Sequence, residues 1–129
     1  MKTVLVVEDE KSLRDAMLES IRDAGYVTIS ASNGEEGITQ IREHAPDLLV
    51  LDILMPVKSG IDVLKFLQHT DSKTPVIVLT NLDDTEDKQK ALARGGYRYF
   101  IKAETSLEEI VRNIRDILDD KTSMGFEKI

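Results

Sequence analysis

Four short apolar runs punctuate this chain, and each ends on a polar side chain able to do chemistry. Val4-Leu5-Val6-Val7 leads into Glu8-Asp9, and Leu48-Leu49-Val50-Leu51 leads into Asp52. Val76-Ile77-Val78-Leu79 is closed by Thr80, and Tyr99-Phe100-Ile101 by Lys102. Runs so short and so apolar fit strands covered on both faces, the habit of parallel sheets. A carboxylate at the tip of such a strand is costly to hold unless something pairs with it or uses it.

The stretches between the runs are amphipathic, so the chain reads as repeated strand–helix units. Strands are predicted at about 3–8, 27–31, 47–51, 75–79 and 97–101. Leu13, Ala16, Met17, Ile21 and Ala24 recur at helical spacing before Gly25 stops the first helix. Ser32-Asn33-Gly34-Glu35 reads as a capping box opening the second helix, which carries Ile38 and Ile41. The third helix holds Ile61, Leu64 and Leu67; the fourth starts near Asp84-Thr85 and ends at Gly95-Gly96. The fifth opens at Thr105-x-x-Glu108 and carries Leu107, Ile110, Val111, Ile114 and Ile117. His44 and His69 fall at helix ends, where a histidine interacts with the terminal carbonyls.

Runs one, three and four are nearly continuous in apolar residues, whereas runs two and five alternate as edge strands do. Right-handed crossovers then favour a five-stranded parallel sheet of order 2-1-3-4-5. The fold class is α/β, a three-layer doubly wound (βα)5 arrangement of the flavodoxin-like kind. Winding in that order reverses between strands one and three, and ligands of open α/β sheets bind at the strands' carboxyl ends beside such a point. Glu8, Asp9 and Asp52 fall there.

Composition narrows the chemistry. The 129 residues suit one domain, read as 1–120 with a polar, frayed tail over 121–129. Without cysteine there is neither a disulfide framework nor a thiolate metal site, and two distant histidines make a zinc site improbable. A formal charge of −7 and the lack of a basic run argue against direct nucleic-acid binding. No apolar stretch approaches membrane-spanning length, and Met1-Lys2 runs directly into a strand with no room for a signal peptide, so a cytoplasmic location is expected.

Three carboxylates in one crevice repel each other unless a cation intervenes. Mg²⁺ (or Mn²⁺) takes oxygen ligands, keeps several waters and is often held by one or two carboxylates plus a phosphate. Three acids, one divalent ion and Lys102 sum to a neutral site, which a phosphoryl group can approach. A carboxylate is a competent phosphoryl acceptor once cations steady the transferring oxygens, and Thr80 has a hydroxyl to donate to one of them. An acid just after a strand is equally often a helix cap, and on its own residues Glu8-Asp9 fits either role.

The motifs Val7-Glu8-Asp9-Glu10, Leu51-Asp52-x-x-Met55-Pro56-x-x-x-Gly60, Leu79-Thr80 and Gly95-Gly96-x-x-Tyr99-x-x-Lys102 together resemble the receiver domain of two-component response regulators, over about residues 3–118. The likeness is to the single-domain kind similar to the chemotaxis regulator. It implies that Asp52 is phosphorylated from the phosphohistidine of a histidine kinase or histidine phosphotransfer protein. Glu8 and Asp9 would hold Mg²⁺ together with Asp52 and the backbone carbonyl of Leu54. Lys102 and Thr80 would contact the phosphoryl group, and Tyr99 would turn inward as Thr80 moves. The face built from the fourth helix, fifth strand and fifth helix, with Lys88, Lys90, Arg94 and Arg98 as candidate contacts, would then meet a downstream protein. The resemblance implies no enzyme beyond self-catalysed phosphorylation and dephosphorylation, acting as a monomer or a phosphorylation-dependent dimer.

Three positions depart from the family's habit. Ala103 stands where a proline, often cis, usually follows the lysine. A cis non-proline peptide costs about 2.5–4 kcal/mol, so a trans or strained loop is expected there, one able to displace Lys102. Asn81 replaces a small residue, and Leu54 and Leu82 place apolar side chains where hydrolysis is tuned, which predicts a relatively long-lived aspartyl phosphate. Ala103 and Asn81 together sustain an alternative, a pseudo-receiver acting as a constitutive interaction module. A phosphatase or phosphotransferase would carry a second aspartate at the Leu54 position.

Overall fold

The computed structural model describes residues 1–53, 59–80 and 98–119. In chain order these form β1 (Thr3–Val7), α1 (Lys11–Asp23), β2 (Val27–Ala31), α2 (Gly34–His44), β3 (Leu48–Asp52), α3 (Gly60–His69), β4 (Val76–Thr80), β5 (Arg98–Ile101) and α4 (Leu107–Leu118). A single 3-10 turn, Lys102–Glu104, joins β5 to α4. The helix expected near 84–95, the Gly95-Gly96 stop and the tail after Asp119 lie outside the described residues.

All five strands are parallel, in the order β2-β1-β3-β4-β5 that their composition predicts. Each lies within one residue of its expected bounds. The alternation of side chains along each strand splits the core into two layers. On one face Leu5, Val7, Leu49, Leu51 and Val78 pack with Val63, Leu64 and Leu67 of α3 and with Ile38 and Ile41 of α2. On the other, Val4, Val6, Leu48, Val50, Ile77 and Leu79 pack with Met17 and Ile21 of α1 and with Ile110 and Ile114 of α4. Burial of each such side chain stabilises the fold by roughly 1.5–3 kcal/mol, so β1, β3 and β4 anchor both layers at once. The edges are wetter: Val27 of β2 is exposed, and no residue of β5 is fully buried.

The helix ends show where local pattern misplaced a cap by one residue. Asn33, rather than Ser32, is the N-cap of α2, accepting from the Glu36 amide at 2.8 Å. The Glu36 carboxylate reaches back to the amide and hydroxyl of Ser32 at 2.7 and 2.8 Å. At α4 the capping box is Ser106 with Glu109, because the Thr105 hydroxyl donates to the Ile101 carbonyl at 2.8 Å and is committed there. Gly25 ends α1 as expected, with a φ of +104° that side chains rarely adopt. His44 and His69 are the last residues of α2 and α3.

Two contacts tie distant elements together. The Tyr26 hydroxyl donates to Asp119 at 2.6 Å, fixing the end of α4 to the α1–β2 turn. Burial and that acceptor push its pKa up to about 12. Between α2 and α3, the Arg42 guanidinium sits 5.2 Å from the centre of the Phe66 ring.

Gly60 sets how closely α3 can approach the end of β3. Its amide donates to the Ile53 carbonyl at 2.8 Å. A Cβ there would lie 2.4 Å from the Asp52 carbonyl oxygen and 2.6 Å from the Ile53 Cα, both backbone atoms with no room to yield. Gly60→Ala is therefore expected to lower the free energy of unfolding by about 2–4 kcal/mol, measured as a lower urea midpoint with an unchanged m-value.

Candidate functional site

Strand register brings the polar run-ends together. Val7 pairs with Leu51, so Glu8 and Asp52 follow as neighbours across β1 and β3. Asp52 pairs with Leu79, and Thr80 pairs with Ile101, which puts Lys102 at the same edge. Glu8 continues the sheet for one more bond, its amide donating to the Ala31 carbonyl at 3.0 Å. The carboxyl edge of the sheet thus gathers residues from β1, β3, β4 and β5 around the point where the winding reverses.

Glu8 is fully buried and Asp52 is 4% exposed; they are the charged residues of the described core. Lys102 serves both. Its ammonium donates to Asp52 Oδ2 at 3.0 Å and to Glu8 Oε2 at 3.0 Å. Glu8 Oε2 also accepts from the Glu10 amide at 3.1 Å. Burial raises the Glu8 pKa, and the nearby Asp52 charge adds to the rise against the opposing pull of Lys102 and the Glu10 amide. For Lys102, burial alone would lower the pKa; its hydrogen bonds to Glu8 and Asp52 and their charges outweigh that and hold it above the ordinary lysine value.

The concern over Ala103 is answered by the backbone. No peptide among the described residues is cis, and after β5 the chain enters the Lys102–Glu104 turn directly. A trans Lys102–Ala103 bond therefore delivers the ammonium into the site instead of displacing it.

The choice between capping and metal binding is also narrowed. The N-cap of α1 is Glu10, with no side-chain cap, so neither Glu8 nor Asp9 closes the helix. Carboxylate oxygens of Glu8, Asp9 and Asp52 lie within 4.8 Å of one another, with Asp9 the exposed member. The other Glu8 oxygen, Oε1, is buried and lies 3.0 Å from the same ammonium. A set of three carboxylates fits a hard divalent cation and its waters.

Thr80 closes β4 at the expected place. Tyr99 sits on β5, half-buried, packed against the layer that contains Val78. Leu54, Asn81, Leu82, Lys88, Lys90 and Arg94 lie outside the described residues. Arg98 is described: it hydrogen-bonds Asn113 and lies 3.9 Å from Asp116 of α4. One neighbour of the site escaped the reading of the sequence. Arg14, one turn into α1, donates from its guanidinium to the Glu8 carbonyl at 2.9 Å. A cation six residues past a strand-end acid is too common a pattern to single out.

Comparison with known proteins matches this geometry. Residues 4–115 match the family model of the response regulator receiver domain, and the chain belongs to that family, the receiver domains of two-component systems. It is 38% identical over 116 residues to the probable transcriptional regulatory protein TcrX of Mycobacterium tuberculosis, covering 90% of this chain and 49% of that protein. It is likewise 38% identical over 112 residues to the transcriptional regulatory protein DltR of Streptococcus agalactiae, covering 87% and 50%. The chain spans about half the length of these curated relatives. Among solved structures, a Francisella response regulator receiver domain superposes with a TM-score of 0.84 at 32% identity, covering 91% of this chain and 96% of that one. No helix among the described residues is long and apolar enough to cross a membrane.

The raised Glu8 pKa has a sign that can be measured without metal. Because the folded state holds its proton above the ordinary value of 4.5, the stability linked to Glu8 is complete below that pH. It is lost as pH rises through the folded pKa. Urea melts in chelator should show this decline, and Glu8→Gln should remove it.

Proposed function

We propose that this domain is a phosphorylation-controlled switch in which Asp52 accepts a phosphoryl group. The observation that carries the reading is the meeting of Asp52, Glu8, Asp9 and Lys102, drawn from three strand ends, at the carboxyl edge of the sheet. A phosphohistidine of a kinase or phosphotransfer protein is the donor. An Asp52 carboxylate oxygen attacks phosphorus, the phosphorus–nitrogen bond of the phosphoimidazole breaks, and an acyl phosphate remains on Asp52.

The residues divide the work by charge. Glu8, Asp9 and Asp52 would hold Mg²⁺ (or Mn²⁺), joined by the Leu54 carbonyl. When bound, the ion supplies the positive charge that steadies the transferring oxygens. Lys102 loosens its hold on Asp52 and keeps a cation beside the arriving phosphoryl oxygens. Thr80 donates its hydroxyl to one of them, and Tyr99 follows that movement. Phosphorylation then favours one of two arrangements by giving it hydrogen bonds the other lacks. The chain is no enzyme toward an external substrate; its chemistry is self-phosphorylation and self-dephosphorylation.

The output is relayed by a protein surface that includes β5 and α4. The named relatives are transcriptional regulatory proteins. With a net charge of −7, this domain is a poor direct ligand for DNA, so a transcriptional output would pass through another segment or partner. A constitutive pseudo-receiver has less to recommend it, since Lys102 reaches both carboxylates despite Ala103.

Incubation with Mg²⁺ and acetyl phosphate, followed by intact mass measurement, tests the reading. The expected result is one added phosphoryl group, absent from Asp52→Asn and absent in chelator. Mg²⁺ binding with no adduct would contradict it.

A further inference from the structure

The acid turn after β1 has a side-chain tie from α1. Glu8, Asp9 and Glu10 occupy three consecutive positions, and Arg14 bonds the carbonyls of the first and the third. Its backbone amide donates to the Glu10 carbonyl at 2.9 Å, the first hydrogen bond of α1. Its guanidinium Nη1 donates to the Glu8 carbonyl at 2.9 Å. Asp9 is the exposed member of the three acids. Its backbone is bracketed by the bond of the Glu10 amide to Glu8 Oε2 and by the bond of the Arg14 guanidinium to the Glu8 carbonyl.

The Arg14 charge is also felt at the start of α2. The Glu36 carboxylate titrates below its ordinary range, chiefly because the Ser32 amide and hydroxyl donate to it, with a smaller pull from the Arg14 charge. Glu36 is the residue whose amide is capped by Asn33.

Resting on the metal-site reading above, we propose that Arg14 is a positioning residue for the cation site: it fixes the Asp9 backbone so that the three carboxylates suit a small octahedral ion. Magnesium demands near-ideal geometry at short distance, whereas calcium accepts a looser oxygen shell. A rigid acid turn therefore raises Mg²⁺ affinity more than Ca²⁺ affinity. The guanidinium also carries a charge that by itself repels a cation, so the positioning and electrostatic effects of its removal have opposite signs.

The test is calorimetric titration of Mg²⁺ and of Ca²⁺ into the wild type, Arg14→Met and Arg14→Lys, with a melting curve of each in chelator. Loss of an outer contact of this kind typically weakens metal affinity by about 10–100-fold. In Arg14→Met the Mg²⁺ Kd should rise about tenfold while the Ca²⁺ Kd rises less, so that the selectivity between the two ions falls. Arg14→Lys keeps the charge on a shorter donor and should recover part of the Mg²⁺ affinity. Unchanged or tighter Mg²⁺ binding in Arg14→Met would overturn the proposal, as would equal loss of both ions in step with a lowered melting temperature. A wild type that binds neither ion would overturn the metal-site reading itself, a result distinct from either of these.

Discussion

Two carboxylates almost cut off from water share one ammonium group, and the rest of the molecule is arranged around that fact. Glu8 and Asp52 sit at the ends of β1 and β3 because the strand register puts them there, and β1 and β3 are buried on both faces. Neither acid can be ionised cheaply in such a place without a partner. Lys102 arrives from β5, the far edge of the sheet, and compensates for both at 3.0 Å. The Glu8 pKa remains raised, chiefly by burial. With Asp9 beside them, these carboxylates form a set that could bind a metal ion.

The fold and the site are consequences of the same alternation. Apolar residues facing both ways along β1, β3 and β4 build two core layers, so helices must cover both faces of the sheet. Covering both faces requires the winding to reverse, and the reversal opens the crevice where the acids lie. Gly60 adds a steric condition, since α3 begins against the backbone of Asp52 and Ile53 with no space for a side chain.

Much of this was legible in the residues. The continuous runs of β1, β3 and β4 against the alternating β2 and β5 gave both the strand order and the identity of the edges. The caps were less legible, because neighbouring Ser, Thr and Asn residues compete for them. Asn33 displaced Ser32, and Ser106 replaced Thr105 once the threonine hydroxyl had bonded to Ile101. The reach of Lys102 depended on the geometry of one peptide bond that no side-chain pattern reports. Arg14 and the Tyr26–Asp119 contact were invisible for a related reason: both are tertiary hydrogen bonds made by residue types that are usually solvated.

Lys102 is held in place by, and compensates for, the two buried acids. Unfolding free energies of Lys102→Met in the wild-type background and in a Glu8→Gln/Asp52→Asn background test it directly. Removing the cation that bonds both carboxylates while both charges remain should cost about 3–5 kcal/mol. With both acids neutralised, the same substitution should cost less than about 1 kcal/mol. Equal losses in the two backgrounds would mean that Lys102 stabilises the fold by packing alone and not by compensating for the two acids.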